Sequence, residues 1–101
     1  MPDFKIRMSL TAATMMANCP KKQIKSIGKK IDGLKKAPSL QGKPLKDSLT
    51  GIRSIGSGRF RILFVVGETV EIVAVGIRKE GDSNDVYVVA TKLQEKGDLL
   101  K

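Results

Sequence analysis

Two apolar runs, residues 59–66 and 70–77, are separated only by Gly67, Glu68 and Thr69. A joint this short cannot carry a crossover, so the two runs must pair as an antiparallel hairpin. Successive side chains of a strand point to opposite sides. Phe60, Ile62, Phe64 and Val66 therefore share one face, and Arg59, Arg61, Leu63 and Val65 the other. Because Leu63 and Val65 are apolar too, the strand is expected to be covered on both sides towards its end and open to solvent at its arginine-rich start. Residues 52–55 supply a strand just ahead of the hairpin, which gives a three-strand meander.

Upstream, Phe4, Ile6 and Met8 alternate with Lys5, Arg7 and Ser9, the period of a half-solvated opening strand. Residues 10–18, rich in Ala, Met and Thr, permit a short helix. From Pro20 the period changes: Ile24, Ile27, Ile31 and Leu34 fall three or four residues apart and make one helical stripe. Pro20 suits the first helical position, and the helix is expected to stop near Lys36 because Ala37 precedes Pro38. Residues 38–51 hold two Pro and two Gly without a period and read as a surface connection. Beyond Arg78 a polar stretch leads to Val86, Val89, Ala90 and Leu93 at helical spacing. Ser83 or Asn84 would cap this helix, Asp85 would complement its dipole and Gly97 would end it. The expected architecture is one α+β domain over residues 1–101. Its small antiparallel sheet, made of the N-terminal strand and the meander, carries two N-terminal helices and a C-terminal helix on one side.

Charge and missing side chains narrow the chemistry. The 101 residues include 19 Lys and Arg against 10 Asp and Glu, a net charge of +9, with no His and one Cys. Lack of His removes imidazole acid–base chemistry, histidine triads and two-histidine zinc motifs. A lone Cys19 removes intramolecular disulfides and thiolate clusters. The first residues lack the apolar stretch of a secretory signal or membrane span, so a cytoplasmic location away from membranes is expected. The excess charge sits early: residues 1–50 carry 11 basic and 3 acidic side chains, residues 51–101 carry 8 and 7.

Lys21, Lys22, Lys25, Lys29, Lys30, Lys35 and Lys36 surround the isoleucine stripe, with Asp32 the only acid among them, and Lys43 and Lys46 extend the run. This density has two readings, a solvated face that keeps a small protein soluble or a footprint on a phosphate backbone. With Phe4, Phe60, Phe64 and Tyr87 as the only aromatic residues, phosphate contact fits better than base stacking. Arg53, Arg59, Arg61 and Arg78 lie instead at or beside strands. Neighbouring strands would bring three guanidinium groups to one sheet surface, or else these are surface arginines paired with Glu68, Glu71 or Glu80. Tyr87, in the first turn of the last helix, is either packing or a group placed where the helix dipole favours an oxyanion. Cys19 reads as a small apolar residue.

Three fragments then carry a resemblance. Gly51-Ile52-Arg53-Ser54-Ile55, Gly58-Arg59-Phe60-Arg61-Ile62-Leu63-Phe64, and Gly76-Ile77-Arg78-Lys79-Glu80-Gly81 followed by Asp85-Val86-Tyr87 resemble, in order and interval, the RelE/ParE superfamily of bacterial type II toxins. The resemblance covers essentially the whole chain and is strongest from Leu34 to Leu93. It implies a toxin held inactive by a cognate antitoxin, with an oligomeric state set by that complex. For the RelE branch it implies an endoribonuclease that cuts mRNA in the ribosomal A site, with Arg53, Arg61, Arg78 and Tyr87 at the scissile phosphate. Lys22, Lys25, Lys29, Lys30, Lys43, Lys46, Arg59 and Lys79 are the candidates for RNA or ribosome contact. In that family a second basic residue commonly follows on the first meander strand. Here Ser54-Ile55-Gly56-Ser57 stands in its place, so either Arg59 substitutes or cleavage is attenuated.

Attack by a ribose 2′-OH requires its deprotonation, stabilisation of the phosphorane and protonation of the leaving 5′-oxygen. Tyr and Lys ionise at about pH 10 and Arg higher still, so electrostatic stabilisation has to dominate. No cofactor or metal is expected, since Asp82 and Asp85 are too few and too local for a magnesium site. Two other functions fit the same charge: a gyrase poison of the ParE branch without nuclease activity, and a basic RNA-binding module.

Overall fold

In the computed structural model, which describes residues 3–78 and 85–95, the chain runs β1 (Ile6–Met8), α1 (Leu10–Ala17), α2 (Lys21–Gly33), β2 (Lys43–Pro44), β3 (Arg53–Ser57), β4 (Phe60–Val66), β5 (Val70–Ile77) and α3 (Val86–Glu95). Short 3-10 turns lie at Pro38–Leu40 and Asp47–Leu49. The strands form one sheet in the order β1-β5-β4-β3-β2.

The hairpin forms where the two apolar runs required it, with Phe60 opposite Ile77 and Val66 opposite Val70. Midway the register slips: Leu63 pairs with Ala74, but Phe64 pairs with Ile72. Val73 is the additional residue of this bulge, and it joins Ala74 and Leu63 in one apolar cluster with Leu49, Ile52, Val86 and Ala90. Phe60, Ile62, Phe64, Ile72 and Val75 join a second cluster with Ala12, Ile27, Ile31 and Leu34. Since these two sets of strand residues point to opposite sides, α2 covers one face of the sheet and α3 the other.

Helices on one side were expected, and this is corrected by the four apolar residues Ile72, Val73, Ala74 and Val75, all essentially inaccessible to solvent. A central strand apolar on both faces needs cover on both. The sheet is also mixed rather than antiparallel, because β1 pairs in parallel with β5 through Ile6 and Val70. Alternation fixes which face of a strand is wet and leaves its direction open, and the two-helix connection after β1 leads to β2 at the opposite edge, so no tight turn forces β1 antiparallel to β5. Ser9 anchors that connection. Its hydroxyl accepts from the Ala12 amide at 3.0 Å, capping α1, and donates to the Val73 carbonyl at 3.2 Å.

The presumed surface connection contributes β2, where Lys43 pairs with Ser54 and Pro44 with Arg53. Helix α2 ends at Gly33, short of Lys36, and the chain then turns through Ala37 in the left-handed region at φ 47°. The Gln41 side-chain amide donates to the carbonyls of Gly33 and Lys36, each at 2.7 Å, and satisfies groups the ended helix leaves open. Pro20 stands one position outside the helix, as its cap.

The two-faced core has a direct test in adjacent residues. Phe64→Ala and Leu63→Ala should each destabilise the protein by ~3 kcal/mol or more in urea unfolding. A Leu63→Ala cost below ~1 kcal/mol would contradict cover on the α3 face.

Candidate active site

The pairing of β3, β4 and β5 sets Gly56 opposite Arg61 and Arg61 opposite Gly76. Arg61 is thus flanked by a glycine on each side, on the face that α3 covers. Its guanidinium leans over Gly56: a Cβ there would stand 3.1 Å from Nη1 and 3.5 Å from Cζ. Nη1 donates to the carbonyls of Gly58 at 3.0 Å and Phe60 at 2.9 Å, which ties the side chain to the β3–β4 turn. Three of the five guanidinium donors are left to meet an anion.

Gly76 does a different job. A Cβ there would meet Met15 Cε at 3.1 Å and Val86 Cβ at 3.5 Å, so its bare backbone lets the start of α3 approach β5 closely. The cap of α3 is Asp85 itself. Its buried carboxylate accepts from the Tyr87 amide at 2.8 Å, and its carbonyl accepts from the Val89 amide at 3.0 Å. Ser83, Asn84 and Gly97, expected to cap and end this helix, lie outside the described residues, as does Lys79.

Tyr87 consequently projects from the first turn of α3 back over β3. Its hydroxyl lies 3.1 Å from Ser54 Oγ, and the Arg78 Cζ stands 5.6 Å from its ring centroid, a cation–π arrangement. Ser54 shares the Arg61 face of the sheet, two residues from Gly56, and its pairing partner Lys43 brings a further cation to that side. Together Lys43, Ser54, Arg61, Arg78 and Tyr87 line an open cleft of about 740 Å³. Among the described residues no group of three or more His, Cys, Asp or Glu is arranged to hold a metal ion.

Arg53 does not join them. One residue out of phase with Ser54, it pairs with Phe64 and faces the α2 side. Its Nε donates to the Gln41 carbonyl at 2.9 Å and its Nη2 to that of Gly42 at 3.3 Å, which holds the turn before β2. Gly42 has φ 68°, and a Cβ on it would run into the Ser54 carbonyl. The expected surface of three guanidinium groups is therefore corrected to Arg61 and Arg78, with Arg53 a support of the cleft's outer wall. Strand parity carried the signal: Arg61 faces Gly56, so its neighbour in the cleft is Ser54 and not Arg53.

The lysines divide between faces as well. Lys22, Lys25, Lys29 and Lys30 are exposed on α2, whose buried Ile27 and Ile31 pack on the face away from the cleft. Lys46 and Arg59 are exposed and do not line the cleft. Asp32 pairs with Lys35 at 2.8 Å, and this hydrogen bond and charge push the Lys35 ammonium above its ordinary pKa. Cys19 donates to the Met15 carbonyl at 3.4 Å, and burial pushes its thiol up, which lowers the thiolate fraction at neutral pH.

The fit of Arg61 over Gly56 yields a prediction. Gly56→Val should displace the guanidinium, the mobile end of a long side chain, at little cost in melting temperature. Phenylglyoxal modification of Arg61, mapped by mass spectrometry, should then speed up; an unchanged rate would contradict the fit.

No protein-family model matches the sequence, and no curated protein is similar to it. Solved structures are. A chain of the RelBE2 toxin–antitoxin complex of Mycobacterium tuberculosis is 27% identical with a TM-score of 0.71, the match covering 77% of this chain and 94% of that one. The isolated E. coli RelE toxin is 17% identical with a TM-score of 0.67, covering 88% and 96%. A chain of the chromosomal ParDE toxin–antitoxin system of P. aeruginosa is 17% identical with a TM-score of 0.62, covering 73% and 95%. With these neighbours, the chain shares the fold of RelE- and ParE-type toxins.

Proposed function

We propose that the protein is the toxin of a toxin–antitoxin pair and acts as a ribosome-dependent mRNA endoribonuclease, neutralised by a cognate antitoxin. The observation that carries this reading is the convergence of Arg61, Arg78, Lys43 and Tyr87 on one cleft. Such a cleft suits a phosphodiester and the extra negative charge its cleavage develops. Neighbours drawn from toxin–antitoxin complexes support the antitoxin as partner.

In this mechanism the 2′-oxygen attacks phosphorus and the P–O5′ bond breaks, leaving a 2′,3′-cyclic phosphate and a 5′-hydroxyl. Arg61, fixed on the β3–β4 turn, meets the phosphorane charge, where a preorganised donor is worth ~3 kcal/mol or more. Arg78 faces the leaving oxygen, which takes its proton from water. The Tyr87 hydroxyl gives its own proton to water, and the phenolate then takes the 2′ proton. Guanidinium groups hold charge well and exchange protons poorly, so positioning of the substrate matters more here than in a histidine nuclease. The ribosome supplies that positioning, and the exposed α2 lysines, on the opposite face from the cleft, suit a partner that surrounds the protein.

Expression without antitoxin should arrest growth and produce cleavage of translated messages. Arg61→Ala should abolish arrest with its melting temperature retained. Replacement of Lys25, Lys29 and Lys30 with Ala should weaken ribosome association and flatten its salt dependence while leaving the cleft intact. A folded, fully toxic Arg61→Ala protein would overturn the nuclease reading in favour of a gyrase poison.

A further inference from the structure

Ser54 lies in the stretch, residues 54–57, that stands where the resembled family commonly carries a second basic residue, and it touches the one phenol of the chain. The 3.1 Å contact between Ser54 Oγ and the Tyr87 hydroxyl joins residues 33 positions apart and links β3 to the first turn of α3. Tyr87 is then held at three places. The Asp85 carboxylate fixes its backbone amide at 2.8 Å, the Arg78 guanidinium stands over its ring face at 5.6 Å, and Ser54 meets its tip. Only the last of these acts on the oxygen itself.

We propose that Ser54 is a positioning residue that orients the Tyr87 hydroxyl in the cleft. A serine suits this role because its hydroxyl both donates and accepts. The pair can reverse its hydrogen bond, so Ser54 holds the phenol oxygen in place whether the phenol is offering a proton or a lone pair. A lysine or arginine would only donate, and would add like charge beside Lys43, Arg61 and Arg78. Backbone geometry keeps Ser54 in place: it pairs with Lys43 on one side and Leu63 on the other. No covalent step is assigned to Ser54. The consequence for catalysis rests on the nuclease reading above, whereas the orientation of the phenol does not.

The composition allows the two to be separated. Tyr87 is the only tyrosine and the chain has no tryptophan, so fluorescence excited at the phenol band reports this side chain alone, with no need for substrate. In the wild-type protein and in Ser54→Thr, which keeps a hydroxyl at a strand position, time-resolved anisotropy should show a restrained phenol. Ser54→Ala should add a fast local component, with the melting temperature close to that of wild type. In ribosome-dependent cleavage, Ser54→Ala should lower kcat by about tenfold or more with KM little changed, and Ser54→Thr should restore it. If anisotropy decay is the same in wild type and Ser54→Ala, or if Thr fails to rescue a protein that still folds, the proposal is overturned. If the anisotropy responds as expected while even wild type cleaves no RNA, Ser54 orients Tyr87 and the nuclease reading fails.

Discussion

The pairing of β4 with β5 governs the rest of the molecule. Both strands are apolar on both sides near their middle, and the bulge at Val73 adds one more apolar residue to the α3 side. An exposed sheet of this kind would forfeit roughly 25 cal/mol for each Å² of apolar surface left in water. Two layers of cover follow. The isoleucine face of α2 covers one side and Val86 and Ala90 of α3 the other.

That division also distributes function. Because α2 and α3 lie on opposite faces, the lysine-rich helix cannot form part of the cleft that α3 helps to build. What remains in the cleft is a small set of groups with separate supports. Arg61 rests on a turn, Arg78 follows the last strand, Lys43 sits on the edge strand, and Tyr87 is aimed by a capped helix. Two glycines make room, Gly56 for the guanidinium and Gly76 for the helix. Lys43 and Arg61 sit on paired strands, which keeps them from relaxing away from one another.

Much of this was legible in the sequence. The hairpin, the α2 stripe and the spacing of α3 are local patterns, and each appears within a few residues of its expected bounds. The proximity of Tyr87 to the arginine strand was implied by the resemblance and by no local pattern. The face that Arg53 occupies was not legible because its strand was read without its parity: one residue decides whether a side chain faces the cleft or the α2 core. The missing helix layer had a trace in the unbroken apolar run from Ile72 to Val75, whose two-sidedness becomes definite only with the bulge. Ser54 had no signal of its own, since a lone serine on a strand acquires meaning only from the phenol that α3 brings to it. The parallel entry of β1 was beyond local reading, because direction depends on the path of the whole connection.

The central claim is that this cleft cleaves RNA by attack of the adjacent 2′-oxygen, with charge supplied by arginines rather than by a metal. Its most direct test is the chemistry of the ends. Translated message, cut by purified protein on programmed ribosomes with excess EDTA added just before the protein, should carry a 2′,3′-cyclic phosphate upstream of the cut and a 5′-hydroxyl downstream, as read by mass spectrometry. Fragments ending in a 3′-hydroxyl and a 5′-phosphate, or intact message beside arrested ribosomes, would contradict it.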